Sequence, residues 1–211
     1  MSTELAEPGL RERKRLATRR AIQMAVLQLV AERGLDGVTV DEISRAADVS
    51  PRTFFNYFAT KEEAMLGDAP EIPGADVVDA FVTARGNILD DLAVLLTGAG
   101  EKSMSDIEML KLRHALVKEY PQLSAMRMVT MRAFEDSLGE IVEQRLAKDD
   151  PRLAADPVAL ATRARLVTLV AFAAMRHAWG AWAHSDPTSN LPDRLRDSFA
   201  ELKTLFASAE H

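Results

Sequence analysis

Apolar residues recur at helical spacing along most of the chain. Ile22, Val26 and Val30 lie four positions apart, which gives the first segment one apolar face. No segment shows the sustained alternation of apolar and polar residues that indicates a strand. The pattern predicts an all-α protein. The predicted helices cover residues 8–33, 39–47, 51–57, 60–66, 75–97, 105–119, 122–148, 157–184 and 191–208.

Three short helices near the start of the chain carry helix-start signals. Thr39 is followed by Glu42 three positions later, a capping-box pattern in which each side chain satisfies a free backbone donor. Ser50 precedes Pro51, an N-cap residue followed by a favoured first helical residue. Thr60 opens the fourth helix by the same capping-box pattern as Thr39.

Residues 67–74 contain two prolines and two glycines and interrupt the helical pattern. We place a domain boundary there. Residues 1–66 are then predicted to form a helix-turn-helix domain with a basic N-terminal arm. Residues 67–211 are predicted to form a second helical domain.

The composition excludes several classes of protein. The 211 residues are 47% hydrophobic and 27% charged, which is ordinary for a globular domain. There is no cysteine, which excludes disulfides and thiolate metal sites and favours a reducing compartment. No uncharged stretch reaches the roughly 20 apolar residues of a spanning helix, and the N-terminus lacks a secretory core. We therefore expect a cytoplasmic protein with no membrane segment.

Charge is distributed unevenly along the chain. The net charge is −6, yet residues 8–20 hold six basic residues and one acidic residue. Residues 67–211 hold sixteen basic and twenty-two acidic residues. A basic run is often only a solvated helix face, but a run preceding a helix-turn-helix favours contact with phosphates. The arm residues predicted to touch DNA are Arg11, Arg13, Arg15 and Arg19.

A long helix followed by two short helices and a tight turn is the helix-turn-helix plan, in which the second short helix enters the major groove. Here that reading helix is Pro51–Tyr57. Arg52 can fork to guanine and Asn56 can pair with adenine, and Thr53 lies beside them. We expect Phe54 and Phe58, which share one helix face, to belong to the core.

Residues 16–66 resemble the DNA-binding domain of the TetR/AcrR family of bacterial transcriptional regulators. The resemblance is carried by TVDEISRAADVS at 39–50, PRTFFNYF at 51–58 and TKEE at 60–63. Four positions depart from the family pattern. Asp48 replaces a turn glycine, Arg52 a frequent glycine, Phe55 a common tyrosine and Asn56 a frequent histidine, so the operator sequence stays open.

The resemblance implies a homodimer that binds a double-stranded palindromic operator and leaves it when a small molecule binds, most often as a repressor. It also implies that the Thr39, Tyr57 and Lys61 positions touch phosphates, and a helix N-terminus beside Lys61 would favour this. The predicted DNA contacts are Thr39, Ser50, Pro51, Arg52, Thr53, Asn56, Tyr57 and Lys61.

The C-terminal region is predicted to supply the effector pocket and the dimer interface. The C-terminal half is diffusely similar to a subgroup associated with acyl-CoA-like ligands, and a drug-like or lipid molecule is the alternative effector. Plain core packing is the alternative for each pocket residue. The pocket candidates are Phe81, Met109, Met128, Met131, Phe134, Phe172, Met175 and Trp179. The dimer candidates are Leu166, Leu169, Leu195, Phe199, Leu202 and Phe206.

We expect no enzyme, no cofactor and no metal site. His177 and His184 are seven positions apart rather than at the spacing of paired metal ligands, and no glycine-rich phosphate loop or nucleophile motif occurs. Two other classes stay open at this point. One is an all-α ligand-binding protein or enzyme with a non-functional DNA head, and the other is a nonspecific nucleoid protein, which the acidic body disfavours.

Overall fold

A computed structural model describes residues 9–100, 106–185 and 189–207, and it leaves the side chains of 98–100, 206 and 207 undescribed. Every regular element in these residues is a helix, which confirms the all-α prediction. The helices are α1 Leu10–Arg33, α2 Val40–Ala46, α3 Pro51–Tyr57, α4 Lys61–Leu66, α5 Ala75–Thr83, α6 Ile88–Gly100, α7 Ile107–Glu119, α8 Pro121–Asp149, α9 Pro151–Ala154, α10 Pro157–Ala183 and α11 Leu191–Ala207.

The chain forms two compact units. The first comprises Met1–Asp68 together with Ile107–Arg127, and the second comprises Ala69–Asp106 together with Met128–His211. Helix α7 and the start of α8 therefore pack with the N-terminal helices, which the sequence analysis did not anticipate. The boundary after residue 66 was predicted to separate two functions, which packing alone does not test. It therefore stays a prediction.

The first unit is built on one apolar core beneath the short helices. Phe54 and Phe58 are buried in it, as predicted, together with Ile22 and Val26 of α1 and Ile43 of α2. Helices this short are not stable alone in water, so this packing fixes α2, α3 and α4. The remaining buried members are Ala25, Leu27, Val30, Leu35, Val38, Ala64, Met65, Leu66, Met109, Leu116 and Leu123.

The prediction of one continuous helix over residues 75–97 is wrong. The structure has α5, a break at 84–87, and then α6. The Asn87 side chain caps α6 by accepting a hydrogen bond from the backbone N–H of Leu89 at 2.9 Å. Gly86 and Asn87 together are a turn signal, but the prediction of one helix followed the apolar periodicity instead.

A buried arginine holds this break in place. Arg145 of α8 is fully buried, and its Nη1 and Nη2 donate to the carbonyl oxygens of Phe81 and Gly86 at 2.6 and 3.1 Å. Its Nε donates to Asp149 Oδ2 at 2.5 Å, and Nη2 also lies 3.1 Å from Asp91 Oδ2 without hydrogen-bond geometry. One side chain thus ties α8 to the end of α5 and the start of α6.

Two further helix starts follow from local signals. Asp150 and Asp156 each accept hydrogen bonds from two backbone N–H groups, and each precedes a proline. The Asp150 cap produces the short helix α9, where the sequence analysis predicted only a connecting segment. After α9, α10 and α11 pack together in the second unit, with Ala171, Ala178, Trp182, Leu195 and Phe199 buried.

Helix α10 is long and apolar enough to cross a membrane by length and composition, with a mean hydropathy of 1.6 over an eighteen-residue window. Core helices of globular proteins also meet this test. The expectation of no membrane segment therefore stays a prediction.

Replacing Arg145 with methionine should destabilise the protein by about 3–5 kcal/mol, because it removes a fully buried guanidinium that bonds two carbonyl oxygens and lies beside two partly buried carboxylates. Urea unfolding followed by circular dichroism measures this. The matched control is Arg85→Met, since Arg85 is exposed and lies 3.6 Å from the same Asp149. That change should cost at most about 1 kcal/mol. Equal midpoints for the two variants would contradict the role given to Arg145.

Candidate nucleic-acid interface

Helices α2 and α3 are joined by a turn whose geometry is locally determined. Asp48 adopts a left-handed conformation with φ of 53°, which aspartate tolerates better than most residues. Ser50 caps α3 by accepting a hydrogen bond from the Thr53 backbone N–H at 3.0 Å. Pro51 occupies the first turn of α3 as predicted. The turn and the cap define where α3 begins.

Helix α3 presents one buried and one open face. Phe54 points into the core, whereas Pro51, Arg52 and Asn56 are exposed. Thr53 is half-buried, and its hydroxyl lies 2.8 Å from the Ser50 hydroxyl. Arg52 and Asn56 are four residues apart on one side of the helix, so their polar groups can reach a common surface.

The predicted contact Thr39 forms the capping box of α2. Its backbone N–H and its hydroxyl both donate to Glu42 Oε2, at 2.9 and 2.8 Å. These hydrogen bonds lower the pKa of the Glu42 carboxyl, with the backbone donor as the largest cause. The cap therefore occupies both donors of Thr39, and a phosphate contact by this residue stays a prediction.

Lys61 is bonded within its own unit. Its ammonium donates to the carbonyl oxygens of Leu35 and Val38 at 2.6 and 2.9 Å. These carbonyls belong to the connector between α1 and α2, so Lys61 ties that connector to the start of α4. An ammonium has three donors, and the predicted phosphate contact rests on the third.

Arg19, predicted as part of the DNA arm, holds the end of α3. Its guanidinium lies 4.3 Å from the centroid of the Phe58 ring and donates to the carbonyl oxygen of Tyr57 at 3.2 Å. Its Nη2 also donates to Asp68 Oδ1 at 2.5 Å. Tyr57 is half-buried beside this cluster. Arg19 thus positions the reading helix, whatever it contacts beyond the protein.

The remaining arm residues lie along the exposed first turns of α1. Arg11 and Arg13 are exposed. Arg15 pairs with Glu12 at 2.8 Å, and this hydrogen bond raises the pKa of Arg15 and lowers that of the Glu12 carboxyl. Of the four predicted arm residues, Arg11 and Arg13 are therefore exposed, whereas Arg15 and Arg19 are paired within the protein.

Three residues that the sequence analysis missed support the same unit. Arg113 donates to the carbonyl oxygen of Met65 at 2.8 Å, and Arg127 donates to that of Leu66 at 3.2 Å. The Tyr120 hydroxyl accepts from the Leu35 backbone N–H at 3.3 Å. Burial lowers the pKa of Arg127. No local pattern near these residues could have shown that the two arginines meet the end of α4 or that Tyr120 meets the connector between α1 and α2.

The predicted pocket residues fall into different surroundings. Met109 belongs to the core of the first unit, and Met128 is 76% exposed. In the second unit Phe134 is buried, and its ring centroid lies 5.9 Å from that of Phe172. The remaining candidates are Phe81, which is buried beside Arg145, and Met131, Met175 and Trp179, which are half-buried.

The predicted dimer residues also differ in exposure. Leu166 and Leu169 on α10 are 62% and 45% exposed. Leu195 and Phe199 on α11 are buried within the protomer, so they offer no surface to a partner. Leu202 is half-buried. The side chain of Phe206 lies outside the described residues.

Two of the histidines lie within hydrogen-bonding distance of protein groups. His177 Nδ1 lies 2.9 Å from the hydroxyl of Ser198, and His184 Nδ1 lies 2.7 Å from the carbonyl oxygen of Gly180. In the described ranges, no cluster of three or more histidine, aspartate or glutamate residues is arranged to hold a metal ion.

Comparison with known families agrees with this geometry. Residues 24–65 match the family described as bacterial regulatory proteins, tetR family. Residues 87–207, more than half of the chain, match the MftR C-terminal domain. The chain belongs to the TetR family of transcriptional regulators. This confirms the family resemblance and the fold class predicted from the sequence.

Relatives of this TetR-family regulator are themselves named as transcriptional regulators. TcmR of Streptomyces glaucescens is 40% identical over 77 residues, which cover 36% of this chain and 32% of TcmR. The match therefore spans about a third of that protein's length. MftR of Mycobacterium tuberculosis is 27% identical over 138 residues, which cover 63% of this chain and 68% of MftR.

Solved structures share the fold of this TetR-family regulator. The fatty acid degradation regulator FadR from Bacillus halodurans has a TM-score of 0.55 at 18% identity and covers 88% of this chain and 94% of its own. A tetR family transcription regulator from Shewanella sp. PV-4 has a TM-score of 0.50 at 22% identity, with 91% and 97% covered. At these identities the likeness shows the fold alone.

Arg19→Ala should lower the stability of the protein by about 1–3 kcal/mol, because it removes a partly desolvated cation–π contact and charge-assisted hydrogen bonds. Urea unfolding measures the loss. Arg11→Ala is the control, since Arg11 is exposed on the same helix and its loss should change stability by no more than about 0.5 kcal/mol. If the two alanine variants unfolded alike, Arg19 would have no positioning role.

Proposed function

We propose that this regulator is a ligand-responsive repressor that binds a palindromic operator as a homodimer and is released by a small hydrophobic or acyl-CoA-like effector. In this proposal it works in the cytoplasm, catalyses no reaction and needs no cofactor or membrane. Family membership supports DNA binding, and the geometry of the two units supports the finer statements.

One observation carries the DNA-binding proposal. Arg52 and Asn56 are exposed on a helix whose other face is locked into the core by Phe54. Ser50 and Arg19 fix the two ends of this helix. A helix that recognises DNA must expose side chains that can contact bases, and it binds more tightly if it is already ordered before binding. Helix α3 meets both conditions.

An exposed apolar stripe on α10 supports dimer formation. Val158, Leu166 and Leu169 are all exposed and lie at the three- to eight-residue spacings that bring side chains to neighbouring sides of a helix. Ala173 extends the stripe by one turn. A dimer that buries this stripe would bring together the two copies of α3 that a palindromic site requires.

The effector proposal rests on aromatic and methionine side chains in the second unit. The Phe134 and Phe172 rings are in contact, and Met131, Met175 and Trp179 are half-buried. Methionine adapts to irregular apolar ligands such as acyl chains. An effector would release DNA only by binding one dimer geometry more tightly than the other.

Arg52→Ala should weaken binding to the selected operator by about 1–3 kcal/mol and relax base preference at one position, leaving nonspecific duplex binding nearly unchanged. Lys61→Ala should weaken all duplexes about equally and reduce the salt slope. Fluorescence anisotropy at several salt concentrations separates the two effects. Urea unfolding of Lys61→Ala must accompany the test, because Lys61 also holds the α1–α2 connector. An unchanged salt slope for Lys61→Ala would refute its phosphate contact.

A thermal-shift and DNA-release screen with acyl-CoAs, free fatty acids and drug-like molecules tests the effector. We expect at least one apolar ligand to raise the unfolding temperature and to release the operator at matching concentrations. Alanine substitution of Phe172 should weaken both effects, and substitution of the exposed Met128 should weaken neither. If no acyl-CoA shifts the unfolding temperature or releases DNA, acyl-CoA is not the effector.

A further inference from the structure

The open face of α3 contains an aromatic ring that the proposed contacts leave unused. Phe55 exposes 57% of its surface although the neighbouring Phe54 is fully buried. A phenylalanine at this exposure leaves a large apolar area in water, which is unfavourable unless something covers it.

The ring is held in position rather than free. Its centroid lies 5.4 Å from that of Phe54 at an interplanar angle of 87°, an edge-to-face contact with a fully buried residue. Phe55 is three residues after Arg52 and adjacent to Asn56, and all three are exposed. Because side chains three residues apart are neighbours on a helix, the Phe55 ring lies beside Arg52 on the open face.

The chemistry of the phenyl ring restricts what it can recognise there. It has no hydroxyl to donate to a phosphate and no group that pairs with a base edge. The major groove of DNA offers one apolar group, the C5-methyl of thymine. We propose that Phe55 reads a thymine methyl in each operator half-site. This inference rests on the proposed function, namely that α3 enters the major groove.

The spacing of the side chains sets where the thymine should lie. Side chains three residues apart on a helix have Cβ atoms about 5–6 Å apart. Successive base pairs are about 3.4 Å apart along the duplex. The thymine is therefore within about two base pairs of the base that Arg52 contacts.

Deoxyuridine substitution tests the proposal, because it removes the methyl group and keeps every hydrogen-bonding group of thymine. The full chain is first used to select an operator from a random duplex library. Each thymine of one half-site is then replaced singly by deoxyuridine, and binding is measured by fluorescence anisotropy. At one thymine near the Arg52 position, Kd should rise about fourfold, as expected for one buried methyl group.

Two variants assign the effect to Phe55. F55A should bind more weakly overall and give a Kd ratio between deoxyuridine and thymine near one. F55L, which keeps an apolar side chain, should retain part of the preference and guards against a folding defect in F55A. N56A is the matched control from the same helix face, and it should keep the fourfold ratio while losing affinity.

The outcomes separate this inference from the proposed function. A fourfold ratio in the unmodified protein that disappears in F55A supports it. A ratio near one at every thymine, a selected half-site without thymine, or a ratio that persists in F55A overturns it, while selective operator binding still stands. Absence of any sequence-selective binding overturns both.

Discussion

The burial of Phe54 and Phe58 is the interaction on which the first unit depends. Helix α3 has seven residues and cannot persist alone in water. These two rings anchor it to the apolar residues of α1, α2 and α4. Because one face is fixed inside the unit, the opposite face carrying Arg52 and Asn56 is directed outward. The proposed recognition of DNA by this face depends on the same constraint.

Several basic side chains donate hydrogen bonds to backbone carbonyl oxygens at helix ends and in connecting segments. Arg19 bonds the end of α3, Lys61 bonds the α1–α2 connector, and Arg113 bonds the end of α4. In the second unit Arg145 does the same for the end of α5. Unpaired carbonyls at helix ends need donors, and a long cationic side chain supplies several at once. Some of the positive charge that suggests nucleic-acid binding therefore has a structural role.

The sequence predicted what is determined locally. Thr39, Ser50 and Thr60 all act as caps, and Asp48, which replaces the turn glycine of the family pattern, has a left-handed conformation. The break between α5 and α6 was missed. Its local turn signal, Gly86 and Asn87, is weaker than the apolar periodicity, and Arg145, which bonds the break, lies 59 residues beyond Gly86 in the chain. Periodicity describes one helix face and contains no information about a donor so distant.

In the candidate sites too, local sequence predicts some features and tertiary packing determines the others. Arg52 and Asn56 lie on the open face, as expected of reading residues, because helix phase alone separates them from Phe54. Arg19 was identified by its place in a basic run and Lys61 by the family resemblance, and the protein partners of both depend on tertiary packing. The pocket candidates Met109 and Met128 show a further limit, since apolar character alone does not distinguish a core position from a surface one.

The structure of the full chain bound to its selected operator tests the central claim most directly. The account predicts that α3 lies in the major groove of each half-site, with the Arg52 guanidinium about 3 Å from a base edge and the Phe54 ring still inside the protein. A complex in which α3 faces away from the duplex, or in which another element fills the groove, would contradict it.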